Sequence, residues 1–119
     1  MPVNVLQEAK DALEELNAEK IIEIYSAQFV FEDAPAKLLI TDRKTLKEYF
    51  QRLFGLPQVS FSDIKVYEAE NFAAIEWTWG GVNSTTGKSF RVRGASVIEL
   101  EDGKVRRESI YYDSRPSSA

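Results

Sequence analysis

One change of periodicity, near Pro57, constrains this chain more than any other feature. Before it, apolar residues recur at helical spacing; after it, they alternate. Leu6, Ala9, Leu13 and Leu16 share one helical face, and Asn17 is suited to cap a second helix carrying Ile21, Ile22, Ile24 and Tyr25. An extended segment over Phe29–Asp33 and a short strand over Lys37–Ile40 precede a third helix, which starts near Thr41 or Asp42 and runs to Phe54. Leu46, Tyr49, Phe50, Leu53 and Phe54 give that helix an i, i+3, i+4, i+7, i+8 stripe, Gly55 stops it, and Pro57 follows. Beyond Pro57 the pattern predicts four strands, at 59–69, 72–82, 88–101 and 104–113. They are separated by Glu70-Asn71, a loop from Asn83 to Gly87, and the strong hairpin signal Asp102-Gly103. Helices first and a meander afterwards predict an α+β fold. The expected architecture is a curved antiparallel sheet of about four long strands plus a short hairpin, wrapped around the N-terminal helices as a cone-shaped barrel.

Composition removes whole classes of function. The 119 residues suit one domain, expected over 1–113, with 114–119 as a loose tail. Zero cysteines exclude disulfides and thiolate chemistry, and zero histidines remove the commonest base and metal ligand. No calcium-type loop rich in Asp and Asn stands in their place, so neither a metal nor a cofactor is expected. A net charge of -4 argues against nucleic acid as a partner. Arg91, Arg93, Arg106 and Arg107 sit among Glu99, Glu101, Asp102 and Glu108, which reads as cross-strand ion pairing. Apolar runs are only a few residues long, and Met1-Pro2-Val3-Asn4 does not resemble a secretory signal. No membrane partner and a cytoplasmic location are therefore expected.

With histidine and cysteine absent, chemistry falls to carboxylates, hydroxyls, tyrosines and lysines. The period of two in Phe29-Val30-Phe31-Glu32-Asp33 turns Asp33 to the same side as Phe29 and Phe31. A carboxylate facing an interior must be hydrogen-bonded, kept protonated or put to use. Asp33 is accordingly the first candidate for a general base; the competing reading is a turn residue bonded to backbone amides ahead of Ala34-Pro35. Strand parity places Ala73, Ile75, Trp77 and Trp79 on one inward face, and Phe90, Val92, Gly94, Ser96, Ile98 and Leu100 on the next. A pocket is thus predicted between sheet and helices, lined by Phe29, Phe31, Tyr49, Phe50, Trp77, Trp79 and Tyr112. Ser96 beside Gly94 marks its deep end. Tyr25, Ser96, Tyr112 and a tryptophan N–H are the available donors to a developing oxyanion.

The chain resembles the nuclear transport factor 2-like cone fold, which includes ketosteroid isomerases and SnoaL-like polyketide cyclases. The resemblance runs over nearly the whole chain and is carried by Phe31-Glu32-Asp33-Ala34-Pro35, by Thr41-Asp42-Arg43, and by the closing series from Arg93-Gly94-Ala95-Ser96-Val97-Ile98-Glu99 through Asp102-Gly103-Lys104-Val105 to Tyr111-Tyr112-Asp113. It implies that Asp33 matches the aspartate that moves the proton in ketosteroid isomerases. Their oxyanion partners do not carry over, since Ala9 and Ser96 stand where those enzymes place a tyrosine and a protonated aspartate. The acidic residue that SnoaL-like cyclases use near the end of the final strand makes Asp113 a second catalytic candidate. Three functions are implied: carboxylate-mediated proton transfer on a small hydrophobic molecule, as in an isomerase, cyclase or dehydratase; noncatalytic ligand binding or dimerisation; and epoxide hydrolysis, which needs an Asp-Arg-Asp set. For the last, parity puts Arg93 on the outer face, paired with Asp113 or Glu76. A homodimer through that outer face is expected, with Val82, Ala95 and Val97 supplying apolar contacts.

Overall fold

A computed structural model describes residues 4–115. Helix α1, Val5–Glu15, begins where the Asn4 side chain accepts from the N–H groups of Leu6 and Gln7, at 3.0 and 3.2 Å, and ends at Leu16 in the left-handed conformation (φ 56°). Asn17 caps α2, Ala18–Ile22, as its sequence position predicts. This helix stops short of Ile24 and Tyr25, which the apolar pattern had assigned to it. Tyr25 instead opens strand β1, Tyr25–Asp33, because it pairs with Val105 of the last strand. A short β2, Leu38–Ile40, leads to α3, Arg43–Phe54, capped by Asp42 through the Thr45 N–H at 2.9 Å. The remaining strands are β3 (Ser60–Glu68), β4 (Phe72–Val82), β5 (Ser89–Glu101) and β6 (Lys104–Tyr112). Of the tail expected at 114–119, residues 116–119 lie outside the described part.

Six strands form one curved, open sheet in the order β2-β1-β6-β5-β4-β3. It is mixed rather than wholly antiparallel, since β1 runs parallel to β6 while every other neighbouring pair is antiparallel. The reason is topological. Both β1 and β2 precede the β3–β6 meander, so β1 pairs with its sequence neighbour β2 on one side and, on the other, with the last strand β6, whose direction the meander sets. Leu6, Ala9 and Ala12 of α1, Ile21 of α2, and Leu46 and Phe50 of α3 bury against Phe31, Ile75, Ile98 and Val105 of the sheet, making one core. No described helix is long and apolar enough to cross a membrane.

Candidate active site

Between helices and sheet lies a cavity of about 330 Å³, at the small end of the range for ligand pockets. Its buried walls include Ala9, Ile21, Ile24, Tyr25, Ile98 and Glu108, whereas the exposed Ala36, Leu38 and Arg52 mark the opening. Most of the predicted lining is present: Tyr25, Phe31, Asp33, Tyr49, Phe50, Trp77, Trp79, Ser96 and Tyr112 all border the cavity. Phe29 does not. It faces inward as parity requires, but the Tyr25 ring (5.3 Å between centroids) and the Arg43 guanidinium (5.9 Å) cover it.

Asp33 is 4% exposed and ends β1 on the cavity wall. It accepts from the Tyr49 hydroxyl at 2.8 Å, from the Tyr112 hydroxyl at 3.0 and 3.2 Å, and from the Ala36 N–H at 3.3 Å. The carboxylate thus makes the turn contact and also faces the pocket. These donors satisfy its lone pairs without a cation, which is what makes a buried carboxylate tolerable. Each tyrosine is affected in turn. Burial, reinforced by the adjacent Asp33 charge, pushes the Tyr49 and Tyr112 hydroxyls well above the ordinary phenol range, so both stay protonated donors.

A second buried acid shares the cavity. Glu108 lies on β6 opposite Phe31, one inward position from Ile110, which pairs with Asp33. It accepts hydrogen bonds from the Tyr25 and Ser96 hydroxyls, and Trp77 Nε1–H donates to Ser96 Oγ at 3.0 Å. Burial is the dominant influence and raises the Glu108 carboxyl above the ordinary range, against the lowering by its two hydroxyl donors. Desolvation pushes the Tyr25 hydroxyl up as well, with the neighbouring Glu108 adding to it. Sequence reading had placed Glu108 in the arginine ion-pair cluster. The arginines pair elsewhere: Arg106 with Glu99, Arg107 with Glu32 and Glu99, Arg91 with Asp63, and Arg93 with Glu76. The signal that would have found Glu108 is parity, since it alternates with Ile110 and Tyr112.

Asp113 stands outside the cavity. Its carboxylate is half exposed and held by the Arg115 guanidinium at 2.6 Å, whose hydrogen bonds bring it down to about 2. The strand ends at Tyr112, so the alternation that turns Glu108, Ile110 and Tyr112 inward does not extend to it. Arg93 is likewise on the outer face, donating to the Asp63 carbonyl and the Thr78 hydroxyl, and no Asp-Arg-Asp set forms in the cavity among the described residues. Nor, among the described residues, do three or more acidic side chains converge as a metal site.

A sequence model of the SnoaL-like domain family matches residues 6–108. The chain belongs to this family. No functionally curated protein matches it. Its fold is shared by a protein with a ketosteroid isomerase-like fold from Catenulispora acidiphila solved in complex with trimethylamine, at 17% identity over 98% of this chain and 91% of that one, with a TM-score of 0.84. The epoxide hydrolase/cyclase-like enzyme SalBIII, which has a role in pyran ring formation in the polyether salinomycin, is 15% identical over 94% and 90%, at 0.78. A proposed polyketide cyclase from Pseudomonas putida is 13% identical over 94% and 91%, at 0.81. At these identities the likeness establishes the cone fold, and function rests on the site.

Proposed function

We propose that this SnoaL-like protein binds a small, largely apolar molecule in the cone and moves a proton on it with Asp33 as general base. The observation that carries the reading is one carboxylate, buried on the wall of an aromatic cavity and positioned by two tyrosine hydroxyls. Water exclusion by Phe31, Phe50, Trp77 and Trp79 strengthens every electrostatic interaction inside, and the tyrosines fix the carboxylate's orientation toward a bound ligand. The reaction class is proton abstraction next to a carbonyl, as isomerisation, cyclisation or dehydration requires. The trimethylamine complex of the Catenulispora relative supports a cone of this shape holding a small molecule.

The test is solvent deuterium exchange at the α-carbon of α-tetralone, a small ketone, with binding followed separately by tryptophan fluorescence. Asp33→Asn keeps shape and polarity while removing the proton acceptor. Wild-type protein should accelerate exchange, and the variant should bind but not exchange. Exchange undiminished in Asp33→Asn refutes the base. Binding without exchange in the wild type favours the noncatalytic module.

The proposal includes a homodimer through the outer sheet face, where Val97 and Tyr111 are about half exposed beside Ala95. Light scattering should give about twice the 13.5 kDa chain mass and revert toward one chain in Val97→Asp; a wild-type monomer refutes it.

A further inference from the structure

We infer that Trp79 is a specificity-determining residue of the cone, its indole N–H donating to a hydrogen-bond acceptor on a neutral, ring-containing ligand. The inference rests on the proposal that the cavity holds a small apolar molecule; it does not depend on Asp33 moving a proton.

Every polar group buried in the cavity wall but one is already engaged. Asp33 accepts from Tyr49, Tyr112 and the Ala36 N–H, while Glu108 accepts from Tyr25 and Ser96. The exception is Trp79 Nε1, which is buried and has no hydrogen-bond partner, alone in this among the described side chains. An indole nitrogen only donates, so the group it lacks is an acceptor. A buried donor left unpaired is a standing cost to the fold, and native proteins keep few of them. The two tryptophans of β4 share one inward face and differ in this respect alone. Trp77 Nε1–H reaches Ser96 Oγ on β5 at 3.0 Å. Opposite Trp79 stand Val92 on β5 and Phe61 on β3, and neither side chain offers an acceptor. Its ring packs against those of Phe90 and Tyr112, at 4.7 and 5.6 Å between centroids.

Position gives this donor its use. Trp79 borders the cavity, and because its nitrogen is covered, bulk water does not serve it. Leu53 and Leu56 border the same cavity; partly exposed and apolar, they can shift to admit a ligand but cannot supply an acceptor. The acceptor therefore arrives with the ligand. Tyr112 stands between the two polar groups of the site, its hydroxyl 3.0 Å from Asp33 and its ring centroid 5.6 Å from that of Trp79. A molecule touching Asp33 at one end and Trp79 at the other spans little more than a fused two-ring skeleton, for which a cavity of about 330 Å³ has room. The ligand class is a neutral, compact ring system with an oxygen or ring-nitrogen acceptor at the end away from Asp33. A hydrocarbon of the same shape leaves the donor unpaired and is discriminated against. An anionic acceptor is repelled by the Asp33 carboxylate in the same cavity.

The experiment compares quinoline with naphthalene at mildly alkaline pH, where quinoline is neutral. The two have the same shape, and only quinoline carries an acceptor. Protein labelled with nitrogen-15 shows the indole N–H resonances of Trp77 and Trp79, assigned through their backbones. In the wild type, quinoline should move the Trp79 resonance downfield relative to naphthalene, while Trp77, held by Ser96, responds alike to both. In Trp79→Phe the affinity for quinoline should fall about 2–10-fold more than that for naphthalene, a comparison that cancels the lost ring area. A Trp79 resonance that responds alike to both ligands overturns the assignment, as do equal losses of affinity in the variant. An indole hydrogen that lies upfield and does not move with quinoline is spent on the face of the Phe90 ring, and overturns it too. Naphthalene binding together with any of these results leaves the cone standing as a ligand site and removes only the role of Trp79. Binding of neither molecule removes both.

Discussion

Gly94→Ala is the most sharply determined perturbation in this protein, because a single carbon would meet the floor of the pocket. Gly94 pairs with Trp77 on one side and Tyr112 on the other. A Cβ at that position would fall 2.4 and 2.5 Å from the Trp77 ring carbons Cη2 and Cζ3, and 2.9 Å from the Tyr111 carbonyl oxygen. Carbon atoms settle at about 3.5–4.0 Å, so the indole must retreat by roughly 1 Å. It is 4% exposed, packed against Phe61 and Tyr112, and tied to Ser96, so a retreat into the cavity it borders disrupts those contacts. Overpacking of this kind costs about 1–3 kcal/mol, and breaking the Trp77–Ser96 bond adds about 0.5–1.5 kcal/mol, for a total of about 2–4 kcal/mol. With a urea slope of about 2 kcal/mol per molar, the unfolding midpoint should fall by about 1–2 M. Tryptophan fluorescence reports both the transition and the displaced ring. Gly80→Ala is the control, since its nearest new contact, the Ser60 hydroxyl, is 3.3 Å away on a side chain that can rotate. An unchanged Gly94→Ala midpoint would refute the reasoning, showing that Trp77 is free to move and the pocket floor is not rigid.

Tyr49→Phe should destabilise by about 1.5–3 kcal/mol in urea unfolding, because it leaves the buried Asp33 carboxylate with Tyr112 and one backbone N–H; a loss below about 0.5 kcal/mol would mean the hydroxyl is not needed there. Glu108→Gln should change how stability depends on pH. Burial raises the folded-state carboxyl above its ordinary 4.5, so between that value and the folded one the native chain holds a proton that the unfolded chain has lost. Wild-type stability therefore declines as pH rises through this window, and the decline should be absent in Glu108→Gln. Parallel curves of urea midpoint against pH would contradict it. Asp113→Asn should leave both tetralone exchange and the urea midpoint unchanged, since its pairing with Arg115 is at the surface; a collapse of exchange would return Asp113 to the site.

Local signals determined a large part of this protein. Asn4 is an exception that the sequence reading passed over, but Asn17, Asp42, Gly55 and Asp102-Gly103 each act through neighbours a few residues away, and the element boundaries they imply agree closely with the structure. Alternation within a strand is equally local, which is why Phe31, Asp33, Trp77 and Ser96 face the cavity as their parity requires. What tertiary structure alone decided involves partners distant in sequence. Tyr25 leaves its helical pattern for a strand because Val105 and Glu108 wait on β6. The parallel pairing of β1 with β6 has no local signature, since hydrogen-bond direction between strands depends on how the whole chain returns. That same pairing brings Glu108 beside Phe31 and Asp33, separates it from the arginines that surround it in sequence, and buries it without a cation. A carboxylate's neighbours along the chain suggested an ion pair; its neighbours across the sheet make it a buried acid.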